Sequence, residues 1–300
     1  MKKIGKIILV LIVVVVVLEL VVIAVGFFSK RIPQNTVLTL RIEGEIEEQP
    51  SQDAFAETFL GRATTVNDIV EALDRASTDP RITGLEIEVG ESSLGMAQIQ
   101  QLRRKLRDFN RTGKFSVAYL EFATNRSYYL ASASQTVVLL PTSLLNVRGM
   151  MTSTTFLRGT FDKLGIYPDF FHIGDYKNAS DVFTQKKYTP AHQEADEALL
   201  QDLYRQYLQG IAESRHMKPE EAGSLIAKGP FGAQEALAAK LVDRVAYADE
   251  VRELVEKKNG GSDSRLSVKE YLHRTERNGA SKIAVIYAVG MILPGHSSES

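Results

Sequence analysis

Apolar and polar positions follow two regimes along the chain. Ile7–Phe28 is a run of 22 residues, nearly all Val, Ile, Leu and Phe, interrupted by one charge, Glu19. As a helix it spans about 33 Å, enough for a bilayer core, and its aliphatic residues outweigh the cost of a single carboxylate. From Thr36 the pattern breaks into short alternating runs. Val37, Leu38, Leu40 and Ile42 read as a strand, as do Leu85, Ile87 and Val89, then Phe115, Val117 and Tyr119, then Val137–Leu140 before Pro141. Helical spacings lie between them. Val66, Ile69, Val70 and Leu73 fall at i, i+3, i+4 and i+7 behind Thr65-x-x-Asp68, a capping-box start, and Asp79-Pro80 ends the run. Ile99, Leu102, Leu106 and Phe109 form a second helix face. Tyr128–Ser134 is a short third helix, and Phe156, Leu157, Phe161 and Leu164 mark a fourth. Gln49–Arg62 is polar and reads as an exposed loop, whereas Asp169–Ile173 reads as a fifth strand.

Regular β–α alternation predicts an α/β fold with parallel strands and right-handed crossovers. The later part is helical over Gln193–Ser214, Pro219–Ala227, Ala233–Lys240 and Ala248–Lys257. Asn259-Gly-Gly-Ser-Asp-Ser264 reads as a linker. Beyond it, Ile283–Ile292 repeats the β-rich pattern of Val37–Ile46, with Gly290 matching Gly44 and Ile292 matching Ile46. The expected organisation is a basic start (1–6), a transmembrane signal anchor (7–28), one full β–α repeat (36–258), a linker (259–280) and the first strand of a second repeat (281–300).

Charge and composition narrow the chemistry. The 300 residues carry 36 Lys+Arg against 37 Asp+Glu, a net charge of −1, so no basic excess points to nucleic acid. There is no cysteine, which excludes disulfides, thiolate metal sites, iron–sulfur clusters and a thiol nucleophile. His172, His192, His216, His273 and His296 stand far apart without metal-ligand spacing and read as surface residues. Neither a Gly-rich phosphate loop nor a G-x-S-x-G elbow occurs. No metal or cofactor is expected. Lys2, Lys3 and Lys6 favour an N-terminus inside and the bulk of the chain outside.

One segment bears chemistry: His172-Ile-Gly-Asp-Tyr-Lys-Asn-Ala-Ser180. Lys177 follows an apolar strand end, between Tyr176 and the small pair Asn178-Ala179. A lysine desolvated there would lose its preference for the charged form, and a neutral amine takes a hydroxyl proton as general base. The plain alternative is a solvated surface lysine. Gly174–Phe183, followed by Tyr188-Thr-Pro190 and a long helix with Tyr204, resembles the bacterial signal peptide peptidase A (protease IV) family. Ala233–Asp243 resembles a later segment of that family. The resemblance runs over nearly the whole chain. It implies a Clp/crotonase-like α/β fold with an N-terminal transmembrane helix. It also implies a cofactor-free serine endopeptidase of Ser/Lys dyad type that degrades cleaved signal peptides at the outer face of the bacterial inner membrane, as a homo-oligomer held to lipid by residues 7–28. It assigns Lys177 as general base, with Tyr176 and Asn178 as supporting neighbours.

The family's nucleophile lies in an Ala-Ser-Gly-Gly-Tyr-Tyr-like segment. Here the matching stretch is Thr124-Asn-Arg-Ser-Tyr-Tyr129, so Asn125 occupies the nucleophile position and Arg126 and Ser127 replace the glycines. The loop expected to form the oxyanion hole, Gly90–Gly95, lacks adjacent glycines. The family's long form has two repeats, the base in the first and the serine in the second, and this chain resembles the first. The serine is then expected beyond Ser300, and the 300 residues alone are expected to be inactive. Ser127 is the alternative nucleophile. Two other readings compete. One is an inactive anchored scaffold or adaptor, supported by the missing serine. The other is a crotonase-type acyl-CoA enzyme, which leaves the anchor and the Tyr-Lys segment unexplained.

Overall fold

The computed structural model describes residues 31–48 and 63–275. The anchor at 7–28, the loop at 49–62 and the second-repeat strand at 281–300 lie outside the described residues. Among the described residues, no helix is long and apolar enough to cross a membrane.

The chain runs β1 (Thr36–Gly44), α1 (Val66–Thr78), β2 (Ile82–Ser92), α2 (Met96–Arg111), β3 (Phe115–Leu120), β4 (Ala123–Thr124) and α3 (Asn125–Ala131). It continues with β5 (Thr136–Leu139), β6 (Leu144–Asn146), α4 (Arg158–Leu164), a 3-10 turn (Asn178–Ser180), α5 (Asp181–Thr184) and the long α6 (Pro190–Arg215). Then follow α7 (Pro219–Ile226), β7 (Phe231–Gly232), α8 (Ala233–Ala238), β8 (Arg244–Val245), α9 (Ala248–Lys258), β9 (Arg265–Ser267) and α10 (Val268–Arg274). The main sheet has the order β8-β5-β3-β2-β1-β9, and every neighbouring pair is parallel. A small sheet, β4-β6-β7, has one parallel and one antiparallel pair.

The sheet is covered on both faces, as parallel sheets are. Leu38, Leu40 and Ile42 of β1 point into the large core shared with α1, α2 and α3. Val37 faces the other way and packs with Val117, Tyr119 and Val138 against Val251 and Val255 of α9. The predicted capping box forms: the Asp68 N–H donates to Thr65 Oγ1 (3.1 Å) and the Thr65 N–H to Asp68 Oδ2 (2.9 Å). Such a cap is worth about 1 kcal/mol. On α2, Arg103 is buried without an ion pair to a carboxylate among the described residues. Its guanidinium stacks on the Tyr129 ring and donates to Tyr129 O, Ser132 Oγ, Gly210 O and Ser214 Oγ. Burial pulls it down to about 10. Gly210 permits this closeness of α3 and α6, because a Cβ there would meet Tyr129 Cε2 at 2.4 Å.

Two expectations are corrected. Asp169–Ile173 forms no strand. Its apolar residues find neighbours without one: Phe170 stacks on Phe183, which stacks on Phe161, while Phe171 and Ile173 are 97% and 93% exposed. The run Asn259–Ser264 is not a free linker. Asn259 is buried, donates to Asn35 O and Ser262 O (both 2.7 Å) and accepts from Thr83 Oγ1 (2.5 Å). The turn it anchors sends β9 back to pair with β1, so the fold continues through α10.

Candidate active site

Asn125 opens α3, directly after the N-cap Thr124. Its carboxamide behaves as a piece of backbone. Nδ2 donates to Arg148 O (2.9 Å), Oδ1 accepts from the Arg148 N–H (2.7 Å), and the buried Tyr207 hydroxyl donates to Oδ1 (3.4 Å). Asn125, expected at the nucleophile position, is therefore a structural clamp between α3 and the segment after β6. Ser127 is equally committed. It is buried, its Oγ accepts from the Thr124 N–H (2.7 Å), and its N–H bonds Thr124 Oγ1 (3.4 Å), which completes a capping box. The alternative nucleophile is thus a helix cap, with no basic side chain bonded to it.

The expected oxyanion loop is also filled from within. The Ser93 N–H donates to Gly44 O (2.9 Å), Ser93 Oγ accepts from the Ile46 N–H (3.0 Å), and Leu94 is buried. Arg126, expected to replace a glycine of the nucleophile segment, donates to Leu94 O (3.1 Å).

Lys177 caps the 3-10 turn that leads into α5, and its N–H bonds Gly174 O (3.3 Å). The expected desolvation is not found: no strand precedes it, and the side chain is exposed. Its amine has no hydrogen bond or ion pair among the described residues, and no bond joins it to Asn125. Tyr176 donates to Glu194 Oε2 on α6 (2.9 Å), and that carboxylate holds its hydroxyl above the usual range. Asn178 starts the turn, half-buried.

The residues just downstream form a buried polar cluster that sequence reasoning missed. His192, expected at the surface, is 5% exposed, and Asp181 is 6% exposed. His192 Nδ1 lies 3.2 Å from Asp181 Oδ2, which also accepts from Thr189 Oγ1 (3.1 Å). His192 Nε2 lies 3.8 Å from Asp196 Oδ2, and the Tyr188 hydroxyl is 3.0 Å from that oxygen and 2.8 Å from Thr154 Oγ1. Phe156 and Tyr188 pack edge-on around the imidazole. The available signal was the His192/Asp196 spacing of four on one helix, behind an aspartate in the Lys177 segment. No group of three or more His, Cys, Asp or Glu among the described residues is arranged to hold a metal.

The sequence profile of peptidase family S49 matches residues 108–261, which include Asn125, Lys177 and His192. The chain belongs to peptidase family S49. Curated relatives agree. The S49 chain is 26% identical over 272 residues to "Serine protease SPPA, chloroplastic" of Arabidopsis thaliana, covering 88% of this chain and 39% of that protein. It is 27% identical over 285 residues to "Protease 4" of Salmonella typhi, covering 87% and 46%, and 24% identical to "Protease 4" of Haemophilus influenzae, covering 93% and 51%. The S49 chain therefore spans about half the length of these relatives, or less. Among solved structures, the "1510-N membrane-bound stomatin-specific protease S97A mutant" superposes with a TM-score of 0.42 at 14% identity, covering 78% of this chain and 94% of that one. An enoyl-CoA hydratase from Mycobacterium avium subsp. paratuberculosis reaches 0.39 at 18%, covering 70% and 68%.

Proposed function

We propose that these 300 residues are the lysine-bearing half of a Ser/Lys endopeptidase with a Clp/crotonase-like fold, with the serine supplied from outside them. In that mechanism the serine hydroxyl attacks the peptide carbonyl carbon and Lys177 Nζ takes the hydroxyl proton. Backbone N–H groups hold the oxyanion, and the peptide C–N bond breaks as the protonated lysine gives its proton to the leaving amine. Water, deprotonated by the same lysine, then hydrolyses the acyl-serine to the free acid and restores the serine hydroxyl. The observation that carries the reading is a contrast inside one S49 domain: Asn125 is saturated by the Arg148 backbone, whereas the Lys177 amine is exposed and unpaired among the described residues. In this reading the exposed amine is open to a group supplied from outside these residues. Docking of the missing half would supply both the nucleophile and the desolvation that lowers a lysine toward neutrality.

The substrates in this reading are cleaved signal peptides, and the setting is the outer face of the bacterial inner membrane. The 22-residue apolar run and the lysines before it support the setting. Exposed apolar side chains concentrated between Met151 and Tyr176 support a homo-oligomer, because isolated soluble chains seldom leave such side chains uncovered. One specific observation favours a second reading, an inactive scaffold: the Asn125, Arg126 and Ser127 side chains are each hydrogen-bonded within the domain's own fold.

Lys177→Ala in the full-length protein decides between them. It is expected to abolish peptide hydrolysis while leaving thermal unfolding unchanged. Retained turnover removes Lys177 from the mechanism, and a full-length wild type with no turnover on any peptide leaves the scaffold.

A further inference from the structure

His192, which proton transfer by Lys177 does not use, closes a small hydrogen-bonded ring. Its backbone N–H donates to Thr189 Oγ1 (3.2 Å), the Thr189 hydroxyl donates to Asp181 Oδ2 (3.1 Å), and the same oxygen accepts from His192 Nδ1 (3.2 Å). A carboxylate only accepts, so the Nδ1 proton is fixed in place. The imidazole edge toward Asp196 is looser, at 3.8 Å. A buried polar ring whose bonds are all made is strong in its low-dielectric surroundings, and half-made it is costly, so it admits one geometry.

The ring's position gives it meaning. Asp181 is the first residue of α5, which continues without a break from the 3-10 turn capped by Lys177. Thr189 and His192 belong to the N-cap and first turn of α6, a 26-residue helix whose far end packs on the core through Tyr207, Ile211 and Ala212. The ring thus ties the short turn bearing the amine to the most extended rigid element of the domain. A second tie, from Tyr176 to Glu194, lies in solvent, where a single bond contributes little.

We propose that His192 is a positioning residue for Lys177: through Asp181 it sets where the amine stands for the incoming hydroxyl, without touching substrate. This rests on the reading of Lys177 as the base. Misplacing a reacting group by ~1 Å costs up to about 100-fold in rate, so the effect belongs in kcat.

The test uses full-length protein and peptide hydrolysis, with Lys177→Ala assayed alongside. His192→Phe keeps the edge packing and loses the Nδ1 donor. His192→Asn restores an amide donor near the Nδ1 position, and His192→Gln restores one near Nε2. The expected result is a fall in kcat of about 10–100-fold for Phe, with KM within about 3-fold. Asn should recover most of that loss, and Gln little of it, in line with the 3.2 Å and 3.8 Å contacts. Amide hydrogen exchange over residues 178–184 should speed up in Phe and slow again in Asn. If His192→Phe does not fold, Thr189→Val, which breaks the same ring from its hydroxyl corner, carries the test with the same kcat signature. A dead Lys177→Ala beside a near-wild-type His192→Phe overturns the positioning role and leaves the base assignment standing. So does Asn performing no better than Gln, or kcat and KM shifting together. An active Lys177→Ala overturns both.

Discussion

Asn125→Ser places a hydroxyl at the position that the resemblance matches to the family's nucleophile, and the structure predicts that it costs stability and brings no activity. Serine is too short to span the gap to Arg148, so the bonds to Arg148 O and from the Arg148 N–H are both lost. Arg148 is exposed and water replaces part of that pairing, which leaves about 1–2 kcal/mol for the two bonds. The Tyr207 hydroxyl loses its partner as well, and this side chain is fully buried, which adds about 1 kcal/mol for an unsatisfied polar group. The sum, about 2–3 kcal/mol, corresponds to a fall in Tm of about 4–12 °C for a domain of this size. Calorimetry or far-UV melting reads it directly. Asn125→Asp keeps the acceptor but sets a carboxylate against the Arg148 carbonyl, so it should do no better. Peptide hydrolysis by the 300-residue Asn125→Ser chain should stay at the level of its Lys177→Ala double variant. Among the described residues no basic side chain is hydrogen-bonded to the residue 125 side chain, and Arg126 occupies Leu94 O in the loop expected to hold an oxyanion. A Tm within about 1 °C of wild type, or turnover above the double variant, refutes the reasoning.

Two further predictions concern the frame around the site. Gly210→Ala drives a Cβ to 2.6 Å from the Tyr129 hydroxyl and 2.4 Å from its ring, beside the buried Arg103. It should lower stability by about 1–3 kcal/mol in urea unfolding, and an unchanged midpoint would show that α3 and α6 part freely. Asp79 accepts from the Arg81 guanidinium and the Tyr271 hydroxyl, and the Arg81 hydrogen bonds hold its carboxyl at about 2 against an ordinary 3.8. A folded value below the unfolded one contributes stability above pH ~4 that disappears as pH falls through ~2. The stability difference between wild type and Asp79→Asn should shrink over that window, and a difference that is constant with pH contradicts the assignment.

The strands and long helices were legible because their burial leaves a period in the sequence. Val37 to Ile42 and Ile69 to Leu73 carry the marks of a doubly covered strand and an amphipathic helix, and Thr65 and Asp68 announce the start of α1. Short pieces such as β4, β7, β8 and β9 hold two or three residues each, too few to show any period. Asp169–Ile173 misleads for a physical reason: Phe170 stacks on Phe183 while Phe171 and Ile173 stand outward, so the apolar run reflects neither face of a sheet. Asn259 looks like linker chemistry, yet the amide that suits a flexible turn also saturates three polar partners at once. At the site, Lys177 and Asn125 were singled out from the sequence, Asn125 through the resemblance and Lys177 through its neighbours as well. Their surroundings were not, because the exposure of Lys177 and the burial of His192 depend on residues brought together across the fold.

The return of β9 to the outer edge of β1 has a consequence for synthesis. Thr36 and Ser264 share a hydroxyl contact across 228 positions, and among the described residues β9 pairs with no strand but β1. At a translation rate of about 5–20 residues per second, β1 emerges from the ribosome roughly 10–50 s before the strand that covers it. Through that interval the nascent sheet presents an unpaired edge of alternating apolar residues, the kind that templates strand addition from other chains. A ribosome stalled before residue 265 should therefore hold an adhesive intermediate, and a holdase that binds extended segments would find its strongest claim on this protein there.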